Sequence, residues 1–528
     1  MAKGFRPVDR DQRFLLPVDM TEWLPADHQV WLVLDVVEQL DLSVLTGRYA
    51  RGGVGRRAFD PAMMLALLIY GYASGVRSSR AIERACHTDV AFRVICAQDP
   101  PDHTQIARFR QRHLAAFGDL FAQVLAVCAR AGYVRLGIVA IDGTKIAANA
   151  SIDASHEHDF YAAKVAAMTA EAAEVDAAED ALWGVERRGD QPPDGMSGRG
   201  VAGRAERAAR LRRCLDELAA EQATRAELTE AEQRVAAEYL RRGRTEPVTG
   251  RPPRGVDPVA LAEASATRLL ASHGPQHRYT RTAVAKAAAA RTAAAQPGAA
   301  AAQPGAAATQ PGAATAAVRP ATTGKPAGPR RNSTDPDSRL MPTRRGFIQG
   351  YNAQLTGSAD HFIVVADLVQ HTGDVELLQP MLHKTTQTAE TLRPHRPDPT
   401  TIDAELGIAL ADNGYCSHAN LTADGADRLI ATGKSRDLHT AATTNPASGP
   451  PPEHATAVER MHHRLRTAEG AALYKKRGAT IEPINGNIKD RGNLRRFLLR
   501  GLHACRAELH LAATAHNVRH LHNLLQQA

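Results

Sequence analysis

The feature that most limits how this chain can fold is a tract with too little apolar bulk to build a core. Gln-Pro-Gly triplets begin at Gln296, Gln303 and Gln310, within a run of Ala, Pro, Gly and Thr. Such a composition buries too little apolar surface to offset the entropy of ordering, so residues 275–333 are expected to form a flexible linker. Ahead of it, residues 151–274 hold two Ala-rich, charged stretches, DFYAAKVAAMTAEAAEVDAAEDALWGVERRG and AERAARLRRCLDELAAEQATRAELTEAEQRVAAEYLRRG. Their narrow apolar stripes suit either a helical hairpin or self-association along a coiled-coil-like seam. The remaining ordered chain therefore lies in two blocks far apart in sequence. At 528 residues the chain exceeds what one core usually supports.

The first block, residues 1–130, reads as helical. DHQVWLVLDVVEQLDL has apolar residues at helical spacing, and Asp60-Pro61 ahead of AMMLALLIYGYASG is a cap followed by a proline at the first helical position. SSRAIERACHTDVAFRVI is expected as one further helix. After the turn-rich AQDPPDH, Thr104 is expected to cap a single long helix, QIARFRQRHLAAFGDLFAQVLAVCARAG. That last helix would gather Arg108, Arg110, Arg112 and His113. Helix, tight loop and basic helix is the order of a helix-turn-helix DNA reader. A helical bundle with solvated arginines has the same order.

Residues 131–150 contain VRLGIVAIDG, a β-branched and apolar run expected as a buried strand that presents Asp142 at its end. Asp-Gly is also a common turn pair, so a plain turn is the competing reading. Residues 334–505 continue with YNAQLTG and HFIVVADLV as a hairpin, ELLQPMLHKTTQTAETL as a helix and GIALADNGY as a short strand ending at Asp412. SHANLTADGADRLI is then expected as a helix and IATGK as a strand. This order makes a mixed sheet flanked by helices, with residues 506–528 as a C-terminal helix. If the Asp142 strand belongs to the same sheet, the helical stretches and linker form an insertion between its first and second strands. Functional groups gather at the carboxyl ends of strands in such sheets, which would bring Asp142 and Asp412 together.

Charge points to a polyanionic partner. The net charge is +8 and the pI is near 9.3, and the excess is concentrated. Between Arg464 and Arg500 lie ten basic residues, among them Lys475, Lys476, Arg477, Lys489, Arg495 and Arg496, against three acids, Glu469, Glu482 and Asp490. That is the electrostatic footprint of phosphate contact. The six cysteines form no CxxC pair or Cys/His zinc spacing and read as reduced thiols. The N-terminus MAKGFRPVDRDQRF lacks an apolar secretory core, and no run approaches the ~20 apolar residues of a membrane span. A cytoplasmic protein is expected.

Two Asp at strand ends and Glu482 on a following helix can converge into a cage of oxygen ligands, which suits Mg²⁺ or Mn²⁺. Two such ions activate an attacking oxygen and stabilise the leaving one in phosphodiester chemistry. Glu482 lies five and seven residues from Arg477 and Lys489, neither of them a favoured helical pairing distance. Asp403 and Glu405 precede their apolar run and so fall at the wrong end of the strand. His462, His463 and His516 fit no metal-binding spacing and stay outside the ligand set.

Across most of its length the chain resembles a DDE transposase of the bacterial insertion-sequence type, with an α/β, ribonuclease-H-like catalytic domain. The motifs are FDPAMMLALLIYGYASGVRSSRAIERAC, DHTQIARFRQRH, AIDGTKIAANAS, TDPDSRLM, GFIQGYNAQ, LADNGYCSHANL and the long final block from LYKKRGATIEPINGNIKDRG onward. The final block matches the family's Tyr, Arg, Glu, Lys pattern as Tyr474, Arg477, Glu482 and Lys489. The resemblance implies that Asp142, Asp412 and Glu482 are the catalytic and metal-binding triad for two Mg²⁺ or Mn²⁺ ions. It further implies that Tyr474, Arg477 and Lys489 hold DNA near the scissile bond. The partners would be double-stranded DNA, as terminal inverted repeats and target, with a homodimer on DNA at the bacterial nucleoid.

Two features depart from the family. Asn485 stands where an aromatic often follows Glu-Pro-Val, and the QPG tract is an unusual expansion. A metal-dependent nuclease that does not join ends would use the same residues. A non-catalytic, transposase-derived DNA-binding protein would use the basic block and the N-terminal helices alone.

Overall fold

The structure is a computed structural model that describes residues 19–47, 58–183, 198–226, 230–247, 253, 255–294, 329–343 and 346–527. The QPG triplets lie outside the described residues. The chain divides into two compact units, one built from residues 1–156 and 330–528 and the other from residues 157–329.

The first unit opens with helices α1 (Gln29–Glu38), α2 (Ser43–Thr46), α3 (Pro61–Ala73), α4 (Ser79–Thr88), α5 (Val90–Ile95), α6 (His103–Arg112) and α7 (Phe117–Arg130). Helix α3 starts as its sequence requires: the Asp60 side chain accepts from Ala62 N, and Pro61 sits where its missing N–H costs nothing. Ten of its thirteen residues are buried, which makes α3 the central rod of this block. Two helices expected as continuous are broken. Asp89 is extended and caps α5 through Ala91 N and Phe92 N, which separates α5 from α4. The long basic helix is capped by Asp102 rather than Thr104, and it stops at His113, followed by a single 3-10 turn and then α7.

Strand β1 (Ile138–Ala147) follows, then the short β2 (Ser155–His156), after which the chain leaves for the second unit. There, α8 (His158–Trp183), α9 (Gly198–Ala226), α10 (Glu230–Thr245), α11 (Pro258–His273) and α12 (Arg278–Ala294) succeed one another. Helices α8 and α9 pair around Tyr161, Leu211, Cys214 and Leu218, which gives the anticipated helical hairpin a small core of its own. Helix α12 falls inside the stretch expected as linker. Its Ala-rich composition suits a helix, and it is held against α11, with Arg291 pairing with Glu263 at 2.5 Å and the buried Thr280 donating to Leu269 O.

The chain returns as β3 (Arg331–Asn332), which pairs with β2, then β4 (Arg339–Thr343), β5 (Gly346–Ser358) and β6 (Ile363–Val369). Helix α13 (Leu378–Leu392), β7 (Ile408–Ala411), α14 (His418–Thr422), β8 (Asp427–Ile430), α15 (Ser435–Thr444), α16 (Ala457–Arg466), α17 (Ala468–Asp490) and α18 (Leu502–Leu525) complete it. The expected helix through ADGADRLI is only α14. DRLI itself is the strand, paired parallel with β7, and of the expected strand IATGK only Ile430 belongs to it. Strand β5 pairs antiparallel with β4 along its first half, with β6 along its second, and with β1 on its other edge. Strands β7 and β8 then continue parallel to β1. This is a mixed α/β sheet flanked by helices.

Two helices fix what the sheet presents. Ile481, Ile484 and Ile488 of α17 are buried at helical spacing. Gly357 in β5 admits Ile484, whose Cδ1 would lie 2.4 Å from a β-carbon there, so α17 sits close to the sheet. Helix α18 packs against β6, α3 and α7. Its buried Asn517 accepts from Ile363 N and donates to Ile363 O, both at 2.9 Å. Arg77 and Glu508 form a buried ion pair at 2.8 Å. Glu508 also accepts from Leu498 N and Leu499 N, which leaves its charge well satisfied. No single described helix is long and apolar enough to cross a membrane.

Candidate active site

Parallel pairing of β1 and β7 sets Ile141 opposite Ala411, so the next residue on each strand is an aspartate, Asp142 and Asp412. Alternation along β1 puts Asp142 and Thr144 on the same face of the sheet, the face covered by α17. Asp142 is mostly buried, whereas the Asp412 side chain keeps 41% of its surface in solvent.

Helix α17 reaches this pair from two positions and the neighbouring Thr144 from a third. Arg477 Nη2 donates to Asp142 Oδ1 at 3.1 Å and stands 3.9 Å from Asp412 Oδ2. Asn485 Nδ2 donates to Asp142 Oδ2 at 2.8 Å, and Lys489 Nζ bonds to Thr144 Oγ1. Asn485, the departure from the family pattern, thus faces the aspartate. Burial pushes the Asp142 carboxyl up to about 6. Arg477 pulls it down, while Asp412 and Asp374 add to the rise. Burial also lowers the Lys489 ammonium.

Glu482 lies on the same helix and is exposed. It pairs with neither Arg477, which turns to Asp142, nor Lys489, which reaches Thr144. With Tyr474, Lys475, Arg477, Leu438 and His439 it lines a pocket of about 250 Å³ between α15, α16 and α17. Among the described residues no three His, Cys, Asp or Glu side chains converge closely enough to hold a metal ion. Asp142 and Asp412 are therefore together, and Glu482 stands apart from them. The donors at the pair nevertheless fit a hard divalent cation. Two carboxylates share one cationic nitrogen, Arg477 Nη2, and Asn485 Oδ1 is buried with no hydrogen-bond partner.

The other basic residues divide by exposure. Lys475, Lys476, Arg495, Arg496, Arg108 and Arg112 are exposed. Arg495 pairs with Asp490, and Arg496 reaches Ala148 O at 3.5 Å. Arg110 corrects the expectation of a phosphate contact. It is 6% exposed and donates to Tyr72 Oη, Arg77 O and Ser79 Oγ, so its charge is spent inside the helical block. Glu405 pairs with Arg393 before β7, away from the Asp pair. His462 bonds to Thr432 Oγ1, and His516 packs within α18 against His361 O.

Sequence reasoning passed over Asp374. It precedes the 3-10 turn Val375–Leu377, which makes it look like an ordinary capping residue, yet its side chain makes no cap hydrogen bond. Its Oδ1 instead accepts from Asn352 Nδ2 at 2.7 Å and Gln354 Nε2 at 2.8 Å, with Lys145 Nζ at 3.3 Å. The sequence signal was the adjacent polar pair Asn352 and Gln354, two residues apart on one face of an otherwise buried strand.

Two family models match the chain. Residues 18–112 match a Transposase domain (DUF772), and residues 443–522 match a Transposase DDE domain. The first covers the helices from α1 to α6, and the second covers the helix that reaches the Asp pair together with most of α18. Both are transposase domains, and together they support a DDE transposase of the insertion-sequence type. DNA is the partner that such domains imply. No curated protein and no solved structure matches.

Proposed function

We propose that this transposase cuts DNA at the ends of an insertion sequence and joins the freed 3′ end to target DNA, with Asp142, Asp412 and Glu482 as its catalytic carboxylates. The observation that carries this reading is the pairing of Asp142 and Asp412 on adjacent parallel strands, under a helix that bears Arg477 and Glu482. The sheet supports a ribonuclease-H-like domain: an antiparallel trio, β6, β5 and β1, is extended by β7 and β8 parallel to β1.

Asp142 and Asp412 would hold Mg²⁺ or Mn²⁺, with Glu482, which stands apart from the pair in this structure, as the third ligand of the proposed set; the ion would supply a polarised phosphoryl oxygen and an activated attacking oxygen. The chain's own groups do the rest. Asp142 is held in one rotamer by Arg477 and Asn485, which fixes its oxygens before DNA arrives. When a phosphate enters, Arg477 can pass a charged hydrogen bond from Asp142 to it, and exposed Lys475 and Lys476 on the same helix add positioning charge. Half-buried Tyr474 closes the side of the pocket toward α15. Exposed Arg108 and Arg112 give α6 a basic rim for binding the element ends.

The deciding experiment incubates the protein and its Asp412→Ala variant with labelled DNA carrying the flanking element ends and a target plasmid, with Mg²⁺ or with EDTA. Metal-dependent strand transfer that the variant lacks is the expected outcome. Cutting without joining would make the protein a nuclease, and binding without cutting would leave a DNA-binding protein only.

A further inference from the structure

We propose that Asp374 is a positioning residue of the same centre, holding the turn that follows Asp412 through a polar layer on the far side of the sheet. This rests on the catalytic reading above. In β1, Gly143 and Lys145 point away from the face that carries Asp142, and their register partners on β5 are Gln354 and Asn352. Lys145, Asn352 and Gln354 therefore share one patch, and all three direct a nitrogen at Asp374 Oδ1. Three donors on one carboxylate oxygen form a charge-assisted hub, stronger than neutral hydrogen bonds.

The hub is connected to Asp412. Gln354, oriented by the hydrogen bond its Nε2 donates to Asp374, accepts from Tyr415 Oη at 2.5 Å. Tyr415 is fully buried and ends the 3-10 turn Asn413–Tyr415, which Asp412 caps by accepting from Gly414 N at 2.9 Å. Asn420 ties the two turns a second time, donating to Val375 O at 2.7 Å and to Tyr415 O at 2.8 Å. The distance spanned is short. A β-carbon on Gly414 would stand 2.9 Å from Asp412 Oδ1 and 3.5 Å from Asp374 Oδ2. Asp412 is more exposed than Asp142 and receives no hydrogen bond from α17, so its direction depends on this turn. Gly143 leaves room for the hub: a β-carbon there would lie 2.4 Å from Gln354 Nε2 and 2.6 Å from Asp374 Oδ1.

The test measures Mn²⁺ binding to the full-length chain by electron paramagnetic resonance. Alongside it run kcat and KM for end cleavage, end binding by gel shift, and the melting temperature, for Asp374→Ala, Asp374→Asn and Gly143→Ala. Groups that orient a metal ligand are worth about 10- to 100-fold in metal affinity or activity. Asp374→Ala should therefore weaken Mn²⁺ binding and lower kcat by about tenfold or more, with end binding unchanged. Asp374→Asn keeps an acceptor oxygen and should recover most of both. Gly143→Ala, which removes no charge, should reproduce the loss. Mn²⁺ affinity within twofold of wild type in Asp374→Ala overturns the proposal, as does equal inactivity of the Ala and Asn variants with a lowered melting temperature. If the wild type binds Mn²⁺ but cuts nothing, the catalytic reading fails while the Mn²⁺ titration still decides the role of Asp374. A wild type that binds no Mn²⁺ overturns both.

Discussion

Arg477 directs one nitrogen, Nη2, at both aspartates, lying 3.1 Å from Asp142 Oδ1 and 3.9 Å from Asp412 Oδ2. With its side chain 12% exposed, the guanidinium is the internal counter-ion of the pair. A cation entering between the carboxylates must compete with it. Two unit charges 4 Å apart exchange about 4 kcal/mol at an effective dielectric of 20, so part of that is recovered when the arginine goes. Arg477→Ala should tighten Mn²⁺ binding by about tenfold, or ~1.4 kcal/mol, while lowering DNA cleavage. Calorimetric titration with Mn²⁺ checks this, and unchanged or weaker metal binding would remove Arg477 from the counter-ion role.

Asp142→Asn and Glu482→Gln alter charge with little change of shape. Each should lower end cleavage by about a hundredfold or more, the scale of losing an electrostatic group in an active site. Affinity for the element ends should stay within a few fold. Single-turnover cleavage together with gel shift measures both quantities, and wild-type cleavage by either variant would show that the triad is misassigned.

The arginines of α6 should separate cleanly. Arg110 bonds to Tyr72, Arg77 and Ser79 inside the helical block, so Arg110→Ala should cost about 2–4 kcal/mol of stability by leaving buried acceptors unpaired. The folded fraction should bind DNA normally. Arg108→Glu should leave the melting temperature unchanged, weaken DNA binding and reduce the salt dependence by about one ion. Denaturant melts and binding at several salt concentrations distinguish the two behaviours.

Acid should loosen α18. His516 is buried, and burial pushes its imidazole down to about 3; His510 and His520 are lowered for the same reason. The groups facing His516 are the carbonyl and ring of His361, His520 and Arg519. The unfolded imidazole binds a proton near pH 6.5 and the folded one does not until about 3. Stability is therefore full above about pH 6.5 and is lost as pH falls from there, by at most about 1.4 kcal/mol per pH unit for this residue. Thermal melts between pH 7.5 and 5 should show the decline, and His516→Gln should flatten it. An equal slope in the variant would assign the acid sensitivity elsewhere.

Much of this molecule was legible in the chain. Asp60-Pro61, the β-branched runs before Asp142 and Asp412, and the basic block around Glu482 each carry a local physical signal, and the elements they announce are present, except that the first strand runs on to Ala147 along β5 and so holds Asp142 in its middle instead of at its end. What escaped depends on three-dimensional neighbours. Asp89 and His113 break helices whose apolar spacing runs on through them. DRLI became a strand because β7 offered it an edge, although its residues suit a helix equally. Arg110 looks like its neighbours Arg108 and Arg112 until helical rotation turns it inward. Asp374 gives no sign at its own position, since its three donors come from two strands and the polar pair Asn352 and Gln354 that marks the site lies 22 and 20 residues away.

The position of the second unit has a consequence for synthesis on the ribosome. Asp142 emerges before residues 157–329, and Asp412 and α17 emerge after them. The N-terminal helices wait longer still, because α3 and α7 pack on α18 and Arg77 finds its partner in Glu508. A nascent chain thus carries one aspartate and an unfinished helical block through most of translation, and gains the assembled carboxylate pair only near the end. Premature termination before α18 leaves a product whose α3 and α7 lack the helix they pack on and whose Arg77 lacks Glu508.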